Sequence, residues 1–122
     1  MRTMQQKNSY DHCRAVCLRE SKRLADAWGT RLGTPEECVA TMCMVELPKV
    51  LAPSVGQPGR PDEDGLRDTL RNRFGVEAAV GSFGDSAWIR VSAAVYNSES
   101  DFRKLREAVL QCARDLQEAK HL

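Results

Sequence analysis

Long apolar runs, a strong charge of either sign and histidines are what this sequence has least of. Its uninterrupted apolar runs span only a few residues, so no segment predicts a membrane-spanning helix. Eighteen basic side chains stand against 17 acidic ones, which gives no electrostatic signature of nucleic-acid or anionic-membrane binding. The two histidines, His12 and His121, have no serine or cysteine at the spacing of a nucleophile pair. These absences weigh against membrane proteins, nucleic-acid binders and histidine-activated nucleophiles.

What remains is the composition of one globular domain spanning residues 1–122. Apolar residues make up 42% of the chain and charged residues 29%, which is typical of a chain that folds around a core. A chain of this length buries roughly two thirds of its unfolded surface. The N-terminal octapeptide is charged and no apolar stretch follows it, so the sequence predicts no secretory signal peptide.

The cysteines favour a reducing, cytoplasmic location. Their number is odd, and no Cys-x-x-Cys pair is present, so a disulfide framework is not indicated. We expect reduced, mostly buried thiols at Cys13, Cys17, Cys38, Cys43 and Cys112. A zinc site at His12, Cys13 and Cys17 is the alternative, but structural zinc needs a second ligand pair that the sequence lacks. No metal is therefore expected.

Periodicity predicts an α+β fold with the order α-β-α-β-β-α and helices on one face of a small, mainly antiparallel sheet. A first helix is expected over 9–28, capped by Asn8, ended by Gly29 and buried along Tyr10, Cys13, Cys17, Leu24 and Trp28. The run 38–47 is apolar on both faces, so a central strand covered on both sides is expected there.

The second half of the chain predicts the remaining elements. A Pro/Gly-rich internal loop is expected over 48–61, tolerant of insertion. A helix is expected over 62–74, with the acidic residues Asp62, Glu63 and Asp64 in its first turn. A strand over 76–80, a turn over 81–85 and a strand over 87–96 follow. The last helix is capped by Ser98, with Asp101 three residues on, and its buried stripe consists of Phe102, Leu105, Val109, Cys112 and Leu116.

Arg90 is the candidate binding residue. In the strand predicted over 87–96, one face is apolar and the other carries Trp88, Arg90 and Ser92. An arginine in mid-strand loses hydration unless an anion meets it, and its planar fork suits a carboxylate held by two hydrogen bonds. The alternative without a binding role is an edge-exposed arginine stacked on Trp88. Periodicity alone favours neither.

The same segment carries a family resemblance. Trp88-Ile-Arg90-Val-Ser92, followed by Val95-Tyr96-Asn97 and a capped helix, resembles the C-terminal small domain of fold-type I pyridoxal-phosphate enzymes. Within them it is similar to the class V aminotransferase branch, which includes isopenicillin N epimerase-like proteins. Similarity to plant L-cysteine desulfhydrases of that branch is carried by the upstream stretches Ala27-Trp28-Gly29-Thr30, Leu32-Gly33, Pro35-Glu36 and Met42-Cys43-Met44-Val45-Glu46-Leu47-Pro48.

The resemblance implies a role for Arg90, which would bind the substrate α-carboxylate, with Trp88 and Ser92 beside it. It also implies a pyridoxal 5′-phosphate enzyme that converts cysteine to sulfide, pyruvate and ammonia, and homodimers for intact relatives. The cofactor and its Schiff-base lysine would belong to a large domain preceding this chain. None of the lysines here lies in a motif like the family's Schiff-base segment: Lys7, Lys22, Lys49, Lys104 and Lys120.

Two functions implied by the resemblance remain open, beside a third that does not depend on it, a free-standing α+β domain that binds a small carboxylate through Arg90. In the first, the chain is the carboxylate-binding C-terminal domain of such a lyase, with no catalytic residue, cofactor site or metal site of its own. In the second, it is a non-catalytic interaction module or decoy subunit derived from such an enzyme, recruiting a partner through the exposed sheet face around Arg90. The expected partners are a cysteine-like substrate and a large domain or full-length homologous subunit, without nucleic acid or membrane.

Overall fold

The computed structural model describes residues 4–54, 65–83, 85–92 and 98–120, and it has the α+β architecture that the sequence predicts. Helices and strands follow one another as α1 (Met4–Trp28), β1 (Met42–Glu46), α2 (Leu66–Phe74), β2 (Ala79–Phe83), β3 (Ser86–Ser92) and α3 (Glu99–Lys120). Two 3₁₀ helices, Glu36–Cys38 and Lys49–Ser54, flank β1. No helix among the described residues is both long and apolar enough to cross a bilayer.

The sheet has the strand order β1-β3-β2, with both neighbours antiparallel to β3. Cys43 pairs with Val91 and Val45 with Ile89, so the buried residues of β1 and β3 share one face. A fourth short segment joins the outer edge of β1 through a bridge between Leu32 and Val45. The strand that bears Arg90 is therefore the central one.

The core lies between one face of this sheet and the helices. Ala87, Ile89 and Val91 are almost completely buried there. The helices contribute the residues packed against them, chiefly Leu24, Trp28, Leu66, Leu70, Phe102, Leu105 and Val109. Burying each such aliphatic or aromatic side chain contributes about 1.5–3 kcal/mol. This layer fixes the direction in which the opposite face of β3 points.

The helix ends follow local sequence signals. Gly29, the predicted end of α1, takes the left-handed backbone conformation, and Gly75 ends α2 in the same conformation. The Ser98 hydroxyl accepts a hydrogen bond from the Asp101 amide at 3.2 Å, which confirms the cap of α3. The α3 stripe is confirmed too, with Leu116 only partly buried.

The prediction for the start of α1 is wrong. The helix begins at Met4, so Asn8 lies inside it and is not its cap. Tyr10 is 53% exposed and does not belong to the buried stripe. Asp11 and His12 beside it are exposed as well, so this part of the helix is not packed in the core.

Two strand predictions need correction. The first strand covers Met42–Glu46 instead of 38–47, and it is not central; Glu36–Cys38 forms a 3₁₀ helix. The strand expected over 76–80 is Ala79–Phe83, because pairing with β3 extends through Gly81 and Ser82, where the sequence predicts a turn. Strand limits depend on the partner strand, which no local pattern encodes.

The Pro-rich loop also differs from the prediction in its first part. Residues Lys49–Ser54 form a 3₁₀ helix, and Leu51 is fully buried in the main core. The second helix begins at Leu66 after the N-cap Gly65, so the prediction of a helix over 62–74 with Asp62, Glu63 and Asp64 in its first turn is wrong; Asp68 is the acidic residue of that turn. The remainder of the predicted loop, those three acidic residues and the end of the strand predicted to reach residue 96 lie outside the described residues.

Candidate carboxylate-binding face

The candidate site is the sheet face turned away from the core. Along β3, Ala87, Ile89 and Val91 are buried, while Trp88 and Ser92 are half-buried and Arg90 is exposed. This two-residue alternation is the one that the sequence predicts, and it places Trp88, Arg90 and Ser92 together on the open face.

Arg90 occupies the middle of that face. Its cross-strand neighbours are Met44 on β1 and Ala79 on β2, which bring no charge to it. The part of the chain that the structure describes offers its guanidinium no ion pair or hydrogen bond. Because the side chain is exposed, the loss of hydration argued from the sequence does not apply. The alternative without a binding role, which places Arg90 at the sheet edge, is also wrong in that position, because β3 is the central strand.

The arginine stacked on Trp88 is Arg31, not Arg90 as the alternative without a binding role expects. The Cζ atom of Arg31 lies 5.7 Å from the centroid of the Trp88 ring. Arg31 also approaches Glu46, with 3.8 Å between Arg31 Nε and Glu46 Oε2. Glu46 is the residue opposite Trp88 on β1, and it is 8% exposed. No sequence pattern predicts a role for Arg31, and Leu32-Gly33 is distinctive in the sequence only as part of a resemblance.

The open face also carries exposed apolar surface. Met42 lies opposite Ser92 and is 49% exposed, and Met44 is half-buried opposite Arg90. A guanidinium framed by an indole and by thioether side chains can bind a small carboxylate that also carries an apolar group.

A cavity of about 400 Å³ borders this face at Glu46. Its lining comes from the end of α1, the segment after β1 and the last turns of α3: Trp28, Gly29, Thr30, Glu46, Pro48, Lys49, Val50, Leu110, Ala113, Arg114 and Gln117. Trp88, Arg90 and Ser92 do not line it, so the predicted site residues belong to the open sheet face alone.

The described residues do not fit bound pyridoxal phosphate. A Schiff-base lysine must be desolvated beside the cofactor, yet Lys22 is paired with Glu36 at 2.8 Å on the surface, and Lys49 and Lys104 are exposed. The side chains of Lys7 and Lys120 lie outside the described residues. Within the described ranges there is also no group of three or more metal-ligating side chains, so His12, Cys13 and Cys17 are not brought together with a further ligand.

The cysteines divide by burial. Cys17, Cys43 and Cys112 are buried, Cys13 is half-buried and Cys38 is exposed. Desolvation raises the pKa of the Cys43 thiol above its ordinary value and does the same to the pKa of Cys112. These two thiols are therefore neutral at pH 7 and are not activated nucleophiles.

Sequence comparison relates the chain to proteins named L-cysteine desulfhydrase, although no family model matches it. An L-cysteine desulfhydrase of Arabidopsis thaliana is 36% identical over 86% of this chain. A putative L-cysteine desulfhydrase 1 of Oryza sativa subsp. japonica and a probable chloroplastic L-cysteine desulfhydrase of Arabidopsis thaliana are each 36% identical, over 77% and 75% of this chain.

These similarities confirm the predicted relation to that family in its coarser form. The chain spans only 26%, 22% and 20% of the three relatives' lengths, so what they are named for belongs to proteins several times longer. Assignment to the fold-type I pyridoxal-phosphate enzymes stays a prediction.

Proposed function

We propose that this chain is the carboxylate-binding, C-terminal part of a pyridoxal-phosphate-dependent lyase that acts on cysteine or a similar amino acid. The observation that carries the proposal is the exposed Arg90 guanidinium at the centre of the open sheet face, without a partner among the described residues. Similarity to proteins named L-cysteine desulfhydrase supports the substrate class.

Arg90 binds the substrate α-carboxylate through two parallel, charge-assisted hydrogen bonds. The indole of Trp88 forms an apolar wall at one side, and Ser92 follows on the same face at the other. The chain contributes no catalytic residue. The cofactor and its lysine belong to the rest of the enzyme, whose products are sulfide, pyruvate and ammonia. The five free thiols are in keeping with a cytoplasmic location, and the resemblance implies homodimers for intact relatives.

A graft tests the proposal. This chain replaces the matching quarter of the Arabidopsis thaliana L-cysteine desulfhydrase, and cysteine turnover is measured for the graft, for Arg90→Ala and for Arg90→Lys. We expect Arg90→Ala to lower kcat/KM by between about tenfold and a hundredfold, because a hydrogen bond to a charged group is worth roughly 1.5–3 kcal/mol. Arg90→Lys should restore only part of the loss, since an ammonium cannot form the two-pronged contact.

Arg103→Ala is the matched control, because Arg103 is an exposed arginine on α3, away from the sheet face. It should leave kcat/KM within twofold. The proposal would be contradicted by a graft that turns over no cysteine, or by an Arg90→Ala graft as active as the unsubstituted graft.

The interaction module remains the second candidate, favoured by the half-exposed Met42 on the same open face. In that case the chain should co-elute with the full-length relative in size-exclusion chromatography, and Met42→Lys should abolish co-elution. Arg90→Ala would then leave association unchanged, which separates the two functions.

A further inference from the structure

We infer that Gly33 and Arg31 are positioning residues that hold the Trp88 indole flat over β1, so that the ring forms a fixed wall beside Arg90. The effect on substrate binding rests on the proposed function, whereas the placement of the ring can be tested independently of it.

The segment carrying both residues is pinned to the edge of β1. The Gly33 amide donates to the Met44 carbonyl at 2.7 Å, and the Glu46 amide donates to the Arg31 carbonyl at 2.9 Å. The Thr34 hydroxyl accepts a further hydrogen bond from the Met44 amide at 3.0 Å. These hydrogen bonds surround the bridge between Leu32 and Val45. The backbone at Gly33 can therefore move away from the indole only by breaking them.

The indole fills the space that a side chain at position 33 would need. A Cβ there would lie 2.6 Å from Cζ3 and 2.9 Å from Cε3 of Trp88, and 3.1 Å from the Cβ of Met44. Such distances are well inside van der Waals contact, so the rigid ring would have to move. Gly33 is required here by close approach of the ring.

Arg31 holds the ring as well. Its guanidinium stacks on the indole, and its approach to the nearly buried Glu46 limits where that guanidinium can go. The ring is thus confined by Gly33 and by Arg31. A ring displaced from Gly33 no longer forms its wall in the same place beside Arg90, its neighbour two positions along on the same face of β3.

Gly33→Ala is the direct test, and Gly81→Ala is its matched control. Gly81 lies opposite Trp88 on β2, and a Cβ there would meet no atom within 4 Å. Both variants are made in a Trp28→Phe background, which leaves Trp88 as the sole tryptophan of the two in the chain. We expect Gly33→Ala to shift the Trp88 emission maximum and to increase acrylamide quenching at least twofold, with Gly81→Ala unchanged.

A double variant separates a clash from a general backbone effect. Gly33→Ala should lower the thermal midpoint, and the same substitution in a Trp88→Leu background should lower it much less, because the indole atoms at 2.6 and 2.9 Å are absent. Equal losses in both backgrounds, or equal quenching of Gly33→Ala and Gly81→Ala, would overturn the placement of the ring.

The grafted enzyme tests the consequence for substrate. Gly33→Ala and Arg31→Ala should raise KM for cysteine at least fivefold with kcat nearly unchanged, and Gly81→Ala should change neither. A displaced ring with an unchanged KM would overturn the positioning role. If Arg90→Ala also left KM unchanged, the proposed function would have failed instead, so the two failures are distinguishable.

Discussion

At the scale of single residues, burial sets the reactivity of each thiol. We expect a thiol reagent at pH 7 to label Cys38 first, because it is exposed, and Cys13 more slowly. Cys17, Cys43 and Cys112 should label only when the chain opens. Mass spectrometry of the labelled peptides against time is the measurement, with Cys38→Ser as the control that removes the fast phase. Labelling of Cys43 as fast as Cys38 would contradict the burial argument.

The pKa shift of Cys43 also sets a pH window for stability. Its folded pKa is raised above the ordinary value of 9.0, so the neutral thiol contributes stability in full below that pH. This contribution is lost as the pH rises toward the raised pKa. The free energy of unfolding of the parent should therefore fall more steeply above pH 9.0 than that of Cys43→Ala.

Of the candidate site residues, sequence could predict those on β3 but not those that hold Trp88. Strict alternation along one strand is enough to place Trp88 and Arg90 on the same face. Arg31 and Gly33 reach that face only through a ladder formed with β1, more than ten positions later in the chain. The exposure of Arg90 was also out of reach, because it depends on what covers the sheet.

At the scale of elements, an ion pair joins two helices. Arg73 Nη1 on α2 lies 2.7 Å from Asp115 Oδ2 on α3, and Gln111 donates to the other carboxylate oxygen at 2.8 Å. The hydrogen bond from Arg73 is the main reason that the pKa of Asp115 lies below its ordinary value of 3.8. A lowered folded pKa contributes stability above the unfolded value, and this is lost as the pH falls through the folded one.

We therefore expect Asp115→Asn to lower the thermal midpoint at pH 7 by roughly 2 °C or less, because exposed ion pairs are weak. The difference in thermal midpoint between Asp115→Asn and the parent should decrease progressively below pH 3.8, and it should also decrease in high salt. Glu107→Gln, an exposed acid on the same helix, should leave the midpoint unchanged. A difference that persisted undiminished at pH 2 would show that the carboxylate charge is not responsible.

Helices and strands differ in how well their limits could be predicted. The ends of α1 and α2 at Gly29 and Gly75 are local events, since a left-handed glycine acts within its own turn. The limits of β2 are set by pairing with β3, which draws Gly81 into the strand despite its turn-like sequence context. Fold class was therefore predictable from periodicity, whereas strand register was not.

At the scale of the whole molecule, the described residues cover one face of the sheet and leave the other open. The helices α1 and α3 and the 3₁₀ helix Lys49–Ser54 all contribute to the core on the covered face. The open face consequently holds its polar and aromatic residues on a rigid platform, which favours precise binding geometry.

In the segment Lys49–Ser54, the contribution to the core differs most from what the sequence predicts. Its prolines predict an insertion-tolerant loop, yet Leu51 is fully buried in the main core. We expect Leu51→Ala to lower the free energy of unfolding by about 2–5 kcal/mol through lost burial and a residual cavity. Lys49→Ala, an exposed change in the same segment, should stay within about 0.5 kcal/mol. Urea unfolding with an unchanged m-value is the measurement. Similar small losses for both variants would mean that the segment behaves as the loop its composition predicts, and that the core closes without it.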